Sequence, residues 1–121
     1  MENVYFLGRI ILGVYFLYNA YSHFANIDSL TGYTGSKKVP HPKIAVAVTG
    51  AMLFVGGASI LTGMSLVLGC WILVAFLVGT SFMMHQYWKV TDPMMKMGEK
   101  INFQKNMALV GALLMIIALV S

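Results

Sequence analysis

The feature that most restricts this chain is a set of four apolar runs, residues 4–24, 44–62, 66–87 and 104–120, almost free of charge. Each is roughly 20 residues long, the length a helix needs to cross ~30 Å of hydrocarbon at ~1.5 Å per residue. None alternates apolar and polar side chains, and a membrane barrel takes about eight strands or more, so the spans are helices. Composition points the same way. Charged residues make up 10% of the 121 and hydrophobic ones 59%, whereas a soluble domain carries about 25% charge to coat its wet surface. Lipid has to cover what charge does not. The expected fold is all-α: an integral membrane four-helix bundle, running up-down-up-down, formed by a single domain over residues 1–121.

The connections refine this outline. Gly63-Met64-Ser65 is short enough to make the second and third spans a tight antiparallel hairpin. Asp92-Pro93 pairs a capping side chain with a proline at the first helical position, a strong helix start. Beyond it, Met94, Met97 and Ile101 share one face while Lys96 and Lys100 share another. That pattern predicts a short interfacial amphipathic helix between the third and fourth spans. The first long connection, residues 26–43, holds Gly32, Gly35 and two prolines and is expected to be an extended approach to Pro42. The N-terminus lacks the basic start and small-residue cleavage site of a signal peptide, so the first span is expected to stay.

Basic residues are distributed unevenly. Lys37, Lys38, Lys43, Lys89, Lys96, Lys100 and Lys105 flank the two long connections, and Arg9 stands alone at the other face. The bias predicts cytoplasmic long loops and both termini outside. Lys37, Lys38, Lys96, Lys100 and Arg9 are read as lipid or interface anchors, Arg9 by snorkelling or by meeting carbonyls or lipid phosphate. With the charges in loops beside a membrane, nucleic acid is excluded as a partner. Cys70, the one cysteine, cannot form an internal redox pair and reads as a small buried apolar residue.

Polar residues at bilayer depth are the functional candidates, because lipid cannot solvate them. On the first span Tyr15, Asn19 and His23 follow i,i+4 spacing, and on the third Ser81, His85 and Trp88 lie near one another. The ends of these two spans share a membrane face, which brings His23 and His85 within reach. With Asn19, Tyr87 and Trp88 they could form a quinone or ligand pocket, imidazole and amide meeting the carbonyls and the aromatics packing on the ring. Both histidines, with Tyr87 and Trp88, equally suit the ordinary interfacial end of a helix. Bis-histidine haem is disfavoured in so small a bundle, and no metal-ligand spacing is present. No carboxylate falls within the apolar runs.

Several motifs in order resemble the DoxX family of small four-helix membrane proteins. They are Gly8-Arg9, Gly35-Ser36-Lys37-Lys38-Val39-Pro40-His41-Pro42, Gly56-Gly57, His85-Gln86-Tyr87-Trp88 and Phe103-Gln104-Lys105-Asn106-Met107-Ala108. The resemblance implies a multi-pass protein of the prokaryotic cytoplasmic (inner) membrane, linked with respiratory or sulfur redox systems. Relatives often have a lysine where this chain has His23 and an acidic residue where it has Leu53. The family supplies no catalytic residue set, so none is assigned. Two functions follow as expectations. One is a non-catalytic accessory subunit or helper of a quinone-linked redox complex, with other membrane subunits or further copies of itself as partners. The alternative is a quinone-interacting oxidoreductase subunit with its pocket near His23 and His85.

Overall fold

The computed structural model describes all of residues 1–121. Its helices are α1 (Glu2–Ala25), α2 (Ile27–Ser36), α3 (Pro42–Thr62), α4 (Leu66–Met84) and α5 (Pro93–Val120), with one 3-10 turn at Tyr87–Lys89. Four helical segments, Glu2–Ala25, Pro42–Thr62, Leu66–Lys89 and Pro93–Val120, are long and apolar enough to cross a membrane. The chain is therefore an all-α, multi-pass membrane bundle. α1 packs on α3, α3 on α4 and α4 on α5, while α2 lies against α3.

Lipid gives helices no hydrophobic reason to associate, so close backbone approach has to supply the contact. Glycines provide it here. A Cβ on Gly13 would stand 3.0 Å from the Leu61 nitrogen, and one on Gly57 would stand 3.0 Å from the Leu17 nitrogen. Both positions press α1 against α3 backbone to backbone. Gly56 accepts the Leu73 side chain of α4, and Gly69 of α4 lies over Ser59 of α3. Inside this frame Phe16, Leu53, Ile60, Leu73 and Leu113 are sealed from the surface. The apolar residues left exposed, such as Ile11, Val48, Leu68 and Leu119, point where lipid would cover them.

Arg9 fastens the other end of the α1–α3 pair. Its Nε donates to the Ile60 carbonyl at 2.9 Å and an Nη to the Leu61 carbonyl at 3.4 Å. Those carbonyls belong to the last turn of α3, where helical partners run out and a cation is favoured. Gly63 then closes α3 at φ 79°, a conformation that costs glycine little. Of the roles expected for Arg9, the carbonyl contact is the one observed.

Two connections differ from expectation. Residues 27–36 form a helix although Gly32, Gly35 and their serine and threonine neighbours favour it poorly; packing on α3 outweighs that propensity. The expected interfacial helix exists, but as the opening turns of α5, with no break before the fourth apolar run. Its cap is as read: an Asp92 carboxylate oxygen accepts from the Met95 N–H at 2.9 Å. No proline or glycine pair interrupts the turns that follow, so the helix runs on for about 42 Å at ~1.5 Å per residue.

Gly13→Val should part α1 from α3 and lower stability by about 1–3 kcal/mol. Gly111→Ala, where an added methyl meets nothing within 4 Å, should be neutral or raise it by about 0.5–1 kcal/mol. Denaturant unfolding in detergent, followed by circular dichroism, distinguishes the two.

Candidate functional site

α5 buries one stripe of side chains: Glu99, Asn106, Leu113 and Ile117. The first three recur every seven residues, which keeps them on one face of the helix. Leu113 and Ile117 join the apolar core. Glu99 and Asn106, nearer the long-connection end, turn polar groups into the protein instead.

Glu99 is 7% exposed, and burying a carboxylate is tolerable only if it is paired and hydrogen-bonded. Three residues meet that demand. Lys37 Nζ lies 2.5 Å from Oε2, the Tyr33 hydroxyl is 2.9 Å from each carboxylate oxygen, and His85 Nδ1 is 3.2 Å from Oε1. Tyr33 and Lys37 come from α2 and its end, and His85 from the end of α4. One carboxylate thus ties α2, α4 and α5 together. Burial first, and then the hydrogen bond and charge of Glu99, push the Tyr33 phenol well above its ordinary value. Tyr33 stays a proton donor across the physiological range, and the contact persists.

Below this knot lies a chamber of 340 Å³, walled by α1 to α5 and roofed by Leu30, Tyr33 and Thr34 of α2. Its lining is mostly apolar, with polar groups from Tyr15, Asn19, His23, Thr49, Thr80, His85, Lys105 and Asn106. That mix is typical of a site for a small organic molecule: apolar walls for affinity and a few polar atoms for orientation. His23 Nδ1 is 3.1 Å from the Asn19 carbonyl. A carbonyl only accepts, so Nδ1 carries the hydrogen. A carboxylate fixes His85 in the same way. Each imidazole is therefore left with Nε2 for other chemistry: an acceptor while the ring is neutral, a donor once it is protonated. The His23 ring also meets the edge of Phe76, centroids 6.1 Å apart.

The structure sorts the residues singled out in the sequence. His23, His85 and Asn19 line one chamber; the two histidines share it without bonding to each other. Tyr87 and Trp88 lie elsewhere, stacked edge-on with Phe103, and Trp88 also meets Phe82. Ser81 does not continue the His85 seam but is fully buried with an unpartnered hydroxyl. Among the expected anchors, Lys38, Lys96 and Lys100 are exposed, Lys100 lying over the Tyr87 ring at 5.9 Å. Lys37 turns inward to Glu99.

Glu99, Tyr33 and Asn106 are not among the site residues that the sequence singles out. Extending the Leu113 stripe backward by sevens through Asn106 to Glu99 is the signal that finds two of them. It requires treating residues 93–120 as one helix.

The fold and chamber define a small helical membrane protein with a roofed cavity at one membrane face. A family model for DoxX matches residues 4–86, and the chain belongs to the DoxX family. No curated protein and no solved structure matches it. The matched residues hold α1 to α4; Glu99, Lys105 and Asn106 of α5 lie past them.

Removing one partner from a buried ion pair leaves the other uncompensated. Lys37→Met alone should therefore lower stability by about 3 kcal/mol, while Lys37→Met combined with Glu99→Leu should recover much of that. A double-mutant cycle on detergent unfolding reads the coupling. Additive effects would mean that the pair is not formed.

Proposed function

We propose that this protein holds the head of a quinone-type molecule in the chamber between His23 and His85, serving a membrane redox system as a helper rather than as its catalyst. The observation that carries the reading is the chamber itself, with two imidazoles whose Nδ1 atoms are engaged by protein and whose Nε2 atoms remain. Such a pair can donate to a quinone carbonyl when protonated and accept from a quinol hydroxyl when neutral. The apolar walls suit the ring. The accessory role rests on the family's links with redox systems and on the small mass outside the helices. In this reading the partners are larger subunits of a redox complex or further copies of the chain. In the same reading the roofed end faces the cytoplasm at a prokaryotic inner membrane, which the lysine bias supports.

The test is binding of a short-tailed benzoquinone to the purified protein in nanodiscs, read by isothermal calorimetry. His23→Leu and His85→Leu should each weaken binding about tenfold, equivalent to ~1.4 kcal/mol, with helix content unchanged. Equal binding by wild type and both variants contradicts the proposal. Crosslinking in native membranes tests the helper role: it should join the chain to a redox subunit, and recovery of the chain alone contradicts it.

A further inference from the structure

α1 and α5 flank one another without packing closely. The gap between them is a second cavity, of 520 Å³, lined by Gly8, Ile11 and Leu12 of α1 and by Leu109 and Ile116 of α5. It is almost wholly apolar and open to the side of the bundle. Tyr15 and Lys105 line both this groove and the chamber, so the two spaces meet at that pair. Gly8 has no packing reason to be glycine: a Cβ there would meet nothing within 4 Å. Its missing side chain widens the groove.

Next to Lys105 in the chain is Asn106, 5% exposed and lining the chamber. Its side-chain amide makes no hydrogen bond within the chain, yet it is not among the polar atoms sealed into the protein interior. A primary amide offers two donors and an acceptor, and leaving them unused in an apolar setting costs free energy unless something else meets them. The chamber is the space it faces.

We infer that the chamber is loaded from the bilayer through the α1–α5 gap, by an amphiphile whose small polar head hydrogen-bonds to Asn106 and whose linear apolar tail lies along the groove. The inference rests on the preceding reading for the place of the head, and adds the tail, the entry route and Asn106 as a further polar contact. A soluble ligand has no use for an apolar slot opening into lipid, and a molecule without a tail would leave the slot to bulk lipid chains. An amphiphile uses both spaces at once. Its head sits among Asn106, His23 and His85, its middle passes Tyr15 and Lys105, and its tail follows Leu12, Leu109 and Ile116.

The test compares two probes on the full chain in phosphatidylcholine nanodiscs: a methyl-substituted 1,4-benzoquinone and the same ring with a decyl tail. Partitioning into lipid cancels when variants are compared with one probe. Gly8→Leu fills the groove at a position with room for it and favours the helix, so folding is retained. It should weaken the decyl probe at least fivefold and the tailless probe less than twofold. Leu109→Trp should act the same way. Asn106→Leu, close to isosteric, should weaken both probes about tenfold. Unchanged decyl binding in both groove-filling variants overturns the inference, as does a crosslink between two copies through Leu109, which would make the groove a dimer contact. Should neither probe bind the wild type, the quinone reading fails by itself. Entry through the gap is then judged by solvent extraction of the purified protein. A co-purifying lipid-soluble molecule depleted in Gly8→Leu upholds it, and equal or absent content in both proteins overturns it.

Discussion

One buried carboxylate organises the end of this molecule that holds the chamber. Glu99 sits on the inward face of α5 with almost no exposure, and a charge in that position is stable only with partners that give back what water supplied. Lys37, Tyr33 and His85 are those partners. The requirement acts on the backbone as well as on side chains. To deliver Tyr33 and Lys37, the first long connection has to coil and come down across the bundle, which places Leu30, Tyr33 and Thr34 over the chamber. His85 is held in one tautomer by the same carboxylate. Roof and chamber-lining imidazole are thus both set by one interaction.

The rest of the bundle is held differently. At the far end Arg9 closes α3 through two carbonyls, and between the ends Gly13, Gly56, Gly57 and Gly69 allow α1, α3 and α4 to touch. This gives a tight half and a loose edge. α1, α3 and α4 are clamped, whereas α5 is fixed to α4 and leaves α1 free along its outer side. The chamber lies beneath α2 at one end of the bundle, and the groove lies along the loose edge. The close contacts and the open groove therefore belong to different helix pairs, and the proposed entry route leaves the glycine-mediated contacts intact.

Much of this architecture was legible in the sequence because lipid imposes a strict rule. Apolar runs of fixed length have to be helices, and Pro42, Gly63 and Asp92-Pro93 mark their ends by backbone chemistry that holds in any context. His23, Asn19 and His85 were also visible, since each is a polar residue on an apolar run. The residues that went unseen depend on tertiary context. Helix α2 has weak local propensity and exists because α3 and Glu99 hold it. Glu99 carries no local mark of burial, lying among Lys96 and Lys100 in sequence, and only the folded helix turns those outward and Glu99 inward. Tyr87 and Trp88 seemed suited to a ring pocket, but Phe82 and Phe103 lie beside them on another side of α4 and take up their faces. No property of a single span reveals such a neighbour.

Glu99 holds α2 down over the chamber, and a distance measurement tests that most directly. Spin labels at Ser29 of α2 and Lys96 of α5, both exposed, can be placed in a Cys70→Ser background so that no native thiol competes. Pulsed electron resonance in nanodiscs should give one narrow distance distribution, which broadens and shifts to longer distances when Glu99→Gln is added. A distribution that is broad from the outset, or that is the same with and without Glu99→Gln, contradicts the account.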